Sequence, residues 1–153
     1  MVNKTIYLCG PIAGISYKEA TNGWRSEISN YLDADIKTIS PMRGKDHLKD
    51  VESFEKRGNY DTNINSTGKA IITRDYFDVK NCDLILANFL GAERVSIGSC
   101  FELAWAYAMQ KPVVLVIDEK NIHIHDFVLE TCGYITHDLR KACDSINKFF
   151  KEY

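Results

Sequence analysis

Glu102 stands near the middle of VSIGSCFELAWAYAMQKPVVLVI (residues 95–117), the most apolar part of the chain. A carboxylate set among Cys100, Phe101, Leu103, Ala104 and Trp105 must be solvated, paired or used for chemistry. Two readings compete. Ser99 and Glu102 fit the S-x-x-E pattern, in which the Glu closes back on the backbone N–H of the cap and helps start a helix. Alternatively, Phe101, Leu103, Ala104, Trp105, Ala106, Tyr107 and Ala108 leave almost no polar face, so the helix is expected to be buried. A carboxylate in its first turn is then placed for reaction, with the helix dipole favouring the ionised form that suits a nucleophile. A second acidic cluster, RDYFDVKNCD (residues 74–83), holds Asp75, Asp78 and Asp83. Asp83 reads as the end of a turn and Asp78 as a solvated helix residue. Asp75 lies one helical turn before Asp78, on roughly the same face. Two carboxylates across a cleft serve glycosidic-bond chemistry: one attacks or stabilises the anomeric carbon, the other handles the proton or orients the leaving group.

The elements that must position these groups follow from pattern. KTIYLC (4–9) is a β-rich apolar run stopped by Gly10-Pro11, and reads as a buried strand. From Tyr17 to about Leu32, the spacing of Ala20, Trp24, Ile28 and Leu32 predicts a helix. IKTIS (36–40) is a second strand, ended by Pro41. Residues 42–68 are polar and rich in Gly, Asn and Asp, with no sustained period; so long a segment is expected to be a functional or mobile loop, here a candidate lid. A short helix near 69–80 leads into a third strand, DLILANF (83–89). Helix 98–110, strand PVVLVI (112–117), a short helix near 125–132, a weak strand YIT and a closing helix 137–150 complete the chain. Apolar strands alternating with helices imply a parallel sheet covered on both faces. Right-handed crossovers bring the loops after the strands to one edge, where ligands bind near the switch in strand order. The candidate site is therefore built from segments 9–16, 40–46, 88–98 and 118–126.

Composition narrows the class further. At 153 residues and net charge −2, the chain reads as one α/β domain, residues 1–153, without a basic excess for nucleic acid. No apolar run has the length of a membrane span, and the first residues read as a strand, not a signal peptide. Cys9, Cys82, Cys100, Cys132 and Cys143 are scattered and odd in number, which points to reduced thiols and a cytoplasmic setting. GPIAG after the first strand is not GxGxxG, and neither a P-loop nor GxSxG is present. His123 and His125 in NIHIHD lack partners at metal spacing and are expected at the surface.

Together, KTIYLCGPIAG, SPMRGK, RDYFDVKNCDLILANF and SIGSCFELAWAYAMQKPVVLVI resemble the nucleoside 2-deoxyribosyltransferase family, which includes relatives that hydrolyse deoxynucleoside monophosphates. The resemblance runs from Lys4 to about Ile117. Its most specific part is an order: a Tyr on strand one, an Asp eight residues before the Asp that opens strand three, then G-x-x-x-E-L-x-x-A before a K-P-V strand. It implies a flavodoxin-like (Rossmann-like) sandwich with about five parallel strands. Position by position, it implies Glu102 as nucleophile, Asp75 as the acid near the leaving base, and Tyr7 as the residue whose hydroxyl positions the nucleophile. Gly10, Pro11, Ile12 and Ala13 would floor the sugar site, and Arg43 would contact the base or phosphate. Asp78, Asn88, Ser96 and Gly98 fall at substrate-binding positions.

The resemblance further implies a deoxynucleoside or deoxynucleotide and a nucleobase as partners, no cofactor, and a homo-oligomer in which a neighbouring subunit completes the site, with His125-Asp126 as the segment acting in trans. Deoxyribose lacks the 2′-hydroxyl, so its oxocarbenium-like transition state forms readily and one carboxylate can capture it. The ester then partitions between a second base and water. Ser96, six residues before Glu102, stands where nucleoside transferases carry an Asp and nucleotide hydrolases a Ser that holds the 5′-phosphate. GPIAGIS, however, lacks the Arg that those hydrolases use. Transfer between deoxynucleosides is the working expectation. Hydrolysis of deoxynucleoside 5′-monophosphates is its first alternative, and a non-catalytic nucleotide-binding module its second.

Overall fold

The computed structural model describes residues 3–57 and 63–152. Five apolar runs form strands: β1 (Lys4–Cys9), β2 (Ile36–Ile39), β3 (Leu84–Asn88), β4 (Val113–Val116) and β5 (Tyr134–Thr136). They pair in parallel in the order β2-β1-β3-β4-β5. Every residue of β3 and β4 is buried, as strands covered on both faces require, whereas the edge strands β2 and β5 are partly exposed. The helices are α1 (Tyr17–Asn22), α2 (Trp24–Glu27), α3 (Gly68–Asn81), α4 (Ile97–Ala108), α5 (Asp126–Leu129) and α6 (Leu139–Glu152). Val79 of α3, Leu103 and Ala106 of α4 and Val128 of α5 pack on one face, against Tyr7, Ile85 and Leu115. Ile28, just after α2, and Ala142, Cys143 and Ile146 of α6 pack on the other, against Ile6, Leu86 and Val114. The result is a flavodoxin-like α/β sandwich. From β1 the chain runs outward to β2, then crosses back to β3 on the other side. The switch in strand order thus falls between β1 and β3, where a crevice opens beyond their C-terminal ends.

Two elements differ from the sequence reading. The expected helix 17–32 is broken at Gly23, whose amide bonds to the Glu19 carbonyl (3.1 Å) before the backbone turns away at ψ −134°. A Cβ at Gly23 would lie 2.6 Å from that carbonyl oxygen, so the break needs glycine. Apolar spacing survives the break, but its residues serve different ends: Ala20 packs with Met42, Leu48 and Phe54, while Ile28 packs on the sheet. The second difference is in the expected lid. Gly14 donates to the Phe54 carbonyl (2.8 Å), Phe54 to that of Ile15 (2.9 Å) and Tyr17 to that of Val51 (2.9 Å). With Leu48 and Phe54 buried beneath, the segment up to Phe54 is packed against the β1–α1 loop and is no free lid. At the other end of the segment, Ile64–Ser66 form a 3-10 turn and Thr67 caps α3, while residues 58–62 of that expectation lie outside the described residues.

Candidate active site

The start of α4 settles how Glu102 is held. Ser96 is the cap: its hydroxyl accepts from the Ser99 amide (3.4 Å) and bonds the Ser99 hydroxyl (2.9 Å). The S-x-x-E box expected of Ser99 and Glu102 is therefore not formed. Glu102 falls in the second turn, on the inward face with Ser99, Leu103 and Ala106. Nor is α4 buried all round, because Ile97, Phe101 and Tyr107 are exposed on its outer side. Glu102 meets the sheet at the fully buried Tyr7, whose hydroxyl donates to Oε1 at 2.7 Å. Burial, then the charge of Asp75, push the Glu102 carboxyl up to about 7, against the opposing pull of the Cys9 and Tyr7 bonds. The dipole was expected to favour the ionised form; desolvation wins because the carboxyl is enclosed and lies a turn further in. Tyr7 is itself driven well above the usual phenol range, first by burial, and stays a neutral donor.

From α3, the two aspartates share a face, as their i, i+3 spacing suggested, and that face is the buried one. Asp78 is not solvated: it is buried, and Arg43 grips its two oxygens at 2.6 and 2.7 Å. Arg43 is thereby tied to α3, and Arg74 ties the same turn down through the carbonyls of Arg43 (3.0 Å) and Pro41. Asp75 is different. Its Oδ1 is buried without a hydrogen-bond partner, its nearest cation being Arg74 Nε at 4.0 Å. Burial raises its carboxyl to about 6, although Lys45 and Arg74 oppose the rise. Asp83 ends its turn as expected, accepting from the Thr5 amide at 2.7 Å.

The floor of the crevice is the close approach of two strand ends. A Cβ at Gly10 would lie 2.7 Å from the Asn88 carbonyl oxygen, so only glycine lets β1 and β3 end side by side. Pro11, Ile12 and Ala13 follow, half-buried, with Ala13 bridged to Phe54. Asn88 turns its side-chain oxygen to the Leu90 amide (3.1 Å), and around Gly98 there is open space.

Four residues at this edge were missed or misread. The buried Arg25 guanidinium donates to the carbonyls of Gly10 (3.0 Å) and Ala20 (3.3 Å) and stacks on Trp24, bracing the floor from below. Lys45, in the turn after β2, is buried. Arg94, from the loop after β3, lies against Gly14, its guanidinium carbon 3.7 Å from where a Cβ would be. The loop after β1 has no arginine of its own, yet one is brought to it. His123 is not at the surface: it is buried, its Nε2 accepting from the Ser96 amide at 2.8 Å and its Nδ1 bonding Asn121 Oδ1 at 2.9 Å. That pairing fixes the neutral tautomer, and burial lowers the ring's basicity. Only the Ser96 contact, 27 residues away in sequence, could have revealed it. His125 is exposed, as expected, and caps α5 by accepting from Phe127 N at 3.2 Å.

A buried carboxylate held by a tyrosine at the switch point of a parallel sheet, with a second buried carboxyl on the neighbouring helix, marks the candidate site of a small flavodoxin-like α/β sandwich. Two solved structures share the fold. One is the CMP N-glycosidase BcmB of Clostridium botulinum, at 16% identity and TM-score 0.56, covering 95% of this chain and 99% of that one. The other is BlsM in solution, at 16% identity and TM-score 0.58, with 95% of each chain covered. No curated protein is a significant match in sequence. The family model for nucleoside 2-deoxyribosyltransferase matches residues 6–142, and the chain belongs to that family.

Proposed function

We propose that the protein cleaves the N-glycosidic bond of 2′-deoxynucleosides through a covalent deoxyribosyl–Glu102 ester and transfers the sugar to another nucleobase. The observation that carries this reading is the Glu102 carboxylate held at 2.7 Å by Tyr7 at the β1–β3 crevice. In the forward step a Glu102 oxygen bonds to C1′ while the C1′–N bond breaks. The electron pair leaves with the base, which takes a proton from Asp75. In the second step a nitrogen of the incoming base bonds to C1′, the ester breaks, and the proton returns to Asp75. Tyr7 keeps the attacking oxygen aimed, and the Gly10–Ala13 loop lies under the sugar. Asn88 and Gly98 border the same space, and the Asp78–Arg43 pair braces the wall beside Asp75. The active form is a homo-oligomer, with the His125-Asp126 segment of a second copy reaching the site.

A second reading, hydrolysis of deoxynucleoside 5′-monophosphates, is favoured by one observation. Arg94 lies against Gly14 on the loop that lacks an arginine, and Ser96 presents its hydroxyl at the start of α4.

Chromatography of the bases released from a panel of deoxynucleosides and their monophosphates, with and without an acceptor base, tests both. Glu102→Ala is expected to lose several orders of magnitude in rate while remaining folded. More than about a tenth of wild-type rate would remove Glu102 as nucleophile, since a covalent nucleophile accounts for far more than that. A tenfold wild-type preference for monophosphates, erased by Ser96→Asp, would establish the second reading over the first.

A further inference from the structure

Lys45 has no place in the chemistry described so far, yet its position is hard to explain without a ligand. It follows Gly44, whose left-handed φ of +70° turns the chain inward after β2, and it is 6% exposed. Its backbone is satisfied, the amide by Met42 and the carbonyl by Leu48. Among the described residues its ammonium makes no hydrogen bond or ion pair, although the side chain that carries it is largely buried. The charges that act on it are Asp75, Arg74, Glu102 and Arg25, Asp75 most strongly among the attractive ones. Asp75 in turn carries a buried oxygen with no hydrogen-bond partner. A largely buried lysine whose ammonium makes no bond within the described residues, and a carboxyl oxygen that is buried and unpartnered, thus both act on the Glu102 side of the crevice. Both are on the β2 side of the crevice, the ammonium on the turn after β2 and the carboxyl on α3. Ser96, Arg94 and His123 come from the loops after β3 and β4, toward the opposite side.

With the anomeric carbon over Glu102, the base lies on the Asp75 side. We infer that Lys45 reads the leaving base, donating to a ring carbonyl oxygen, so that the enzyme selects oxo nucleobases over adenine. The inference rests on the glycosidic reading above and adds the substrate class to it. As the C1′–N bond breaks, the electron pair delocalises onto the ring oxygen of an oxo base, and an ammonium held there stabilises that charge more in the transition state than in the ground state. Adenine presents an amino group instead, which leaves the ammonium buried and unpaired.

2′-Deoxyinosine and 2′-deoxyadenosine differ at the C6 substituent and in the protonation of the adjacent N1, and are the pair to compare. The wild type is expected to favour deoxyinosine in kcat/KM by at least about tenfold. Lys45→Met should collapse the ratio to within about threefold through a loss on deoxyinosine alone, and Lys45→Arg should restore part of it. Equal use of both substrates by the wild type, a preference that survives Lys45→Met, or an equal loss on both substrates would each overturn the assignment. Calorimetric binding of hypoxanthine and adenine to Glu102→Gln protein, with and without Lys45→Met, separates this inference from the functional reading. If no nucleoside is turned over, the functional reading fails. Hypoxanthine bound more tightly than adenine only while Lys45 is present still supports the carbonyl contact, and indifference to the base refutes it.

Discussion

At the Glu102 carboxyl, function and stability pull in opposite directions. It titrates near 7 when folded, against the ordinary carboxylate range when unfolded. Between those values the folded protein holds a proton that the unfolded chain has lost, so this group's contribution to stability falls as pH rises from about 4 to about 7. Glu102→Gln keeps the shape and the acceptor for Tyr7 but removes the charge. It should therefore be inactive yet about 1–3 kcal/mol more stable than wild type at pH 8, with the gain shrinking toward zero near pH 4.5. Denaturant unfolding at the two pH values measures this, and a variant less stable at both would mean that the ionised carboxylate is not strained by burial. The same pair sets the rate profile. In the proposed reaction ionised Glu102 and protonated Asp75 are the productive forms, so kcat/KM should be bell-shaped, with apparent values near 6 and 7 that belong to the coupled pair. Asp75→Asn should cost about 10²–10⁴-fold and remove the alkaline limb. An alkaline limb that persists would assign the proton to another group.

Two glycines give tests at the level of the elements. Gly10→Ala puts a methyl 2.7 Å from the Asn88 carbonyl, so the ends of β1 and β3 must part. We expect a loss of about 1–3 kcal/mol in stability and at least a tenfold fall in rate, since the floor of the site moves. Gly98→Ala meets nothing within 4 Å, and its helical backbone accepts a side chain. It should stabilise the fold by about 0.4–1 kcal/mol; any fall in rate then reports a substrate against that turn. Melting temperature and kcat/KM, measured on both variants, separate the two effects.

These elements also mark what the sequence could reveal. β1, β3 and β4 were legible because burial on both faces leaves unbroken apolar runs. Helix 17–32 was misread since apolar spacing continues across a break that only the clash at Gly23 exposes. Tyr7 came from a family pattern alone, whereas Glu102 was also singled out by its apolar surroundings and Asp75 by its place in an acidic cluster. Arg25, Arg94 and His123 stayed hidden because each is defined by a neighbour distant in sequence, such as Gly10 for Arg25 or Ser96 for His123, and Lys45 because its burial follows from a turn that charge and spacing do not mark.

For the molecule as a whole, the outer side of α4 carries the argument. Ile97, Phe101, Ala104 and Ala108 recur at helical spacing and are all exposed, and α4 carries no charge apart from the inward Glu102. Tyr107 on α4, and Phe77 on the neighbouring α3, extend the apolar surface. If the proposed site is the active one, a second copy packed on this outer face would also hold the element that carries Glu102. The proposed second copy would cover this surface. Sedimentation at micromolar concentration should then show a dimer or larger, and Phe101→Glu, which sets a charge in the middle of the stripe, should shift it to monomer. Phe101 touches Trp105 at 6.0 Å between ring centres but no part of the Glu102–Tyr7 pair, so the monomer should stay folded. Its kcat/KM should fall by about tenfold or more if a neighbour completes the site. A wild type that sediments as a monomer and is fully active would end the oligomer proposal, and a Phe101→Glu monomer with unchanged rate would confine each site to a single chain.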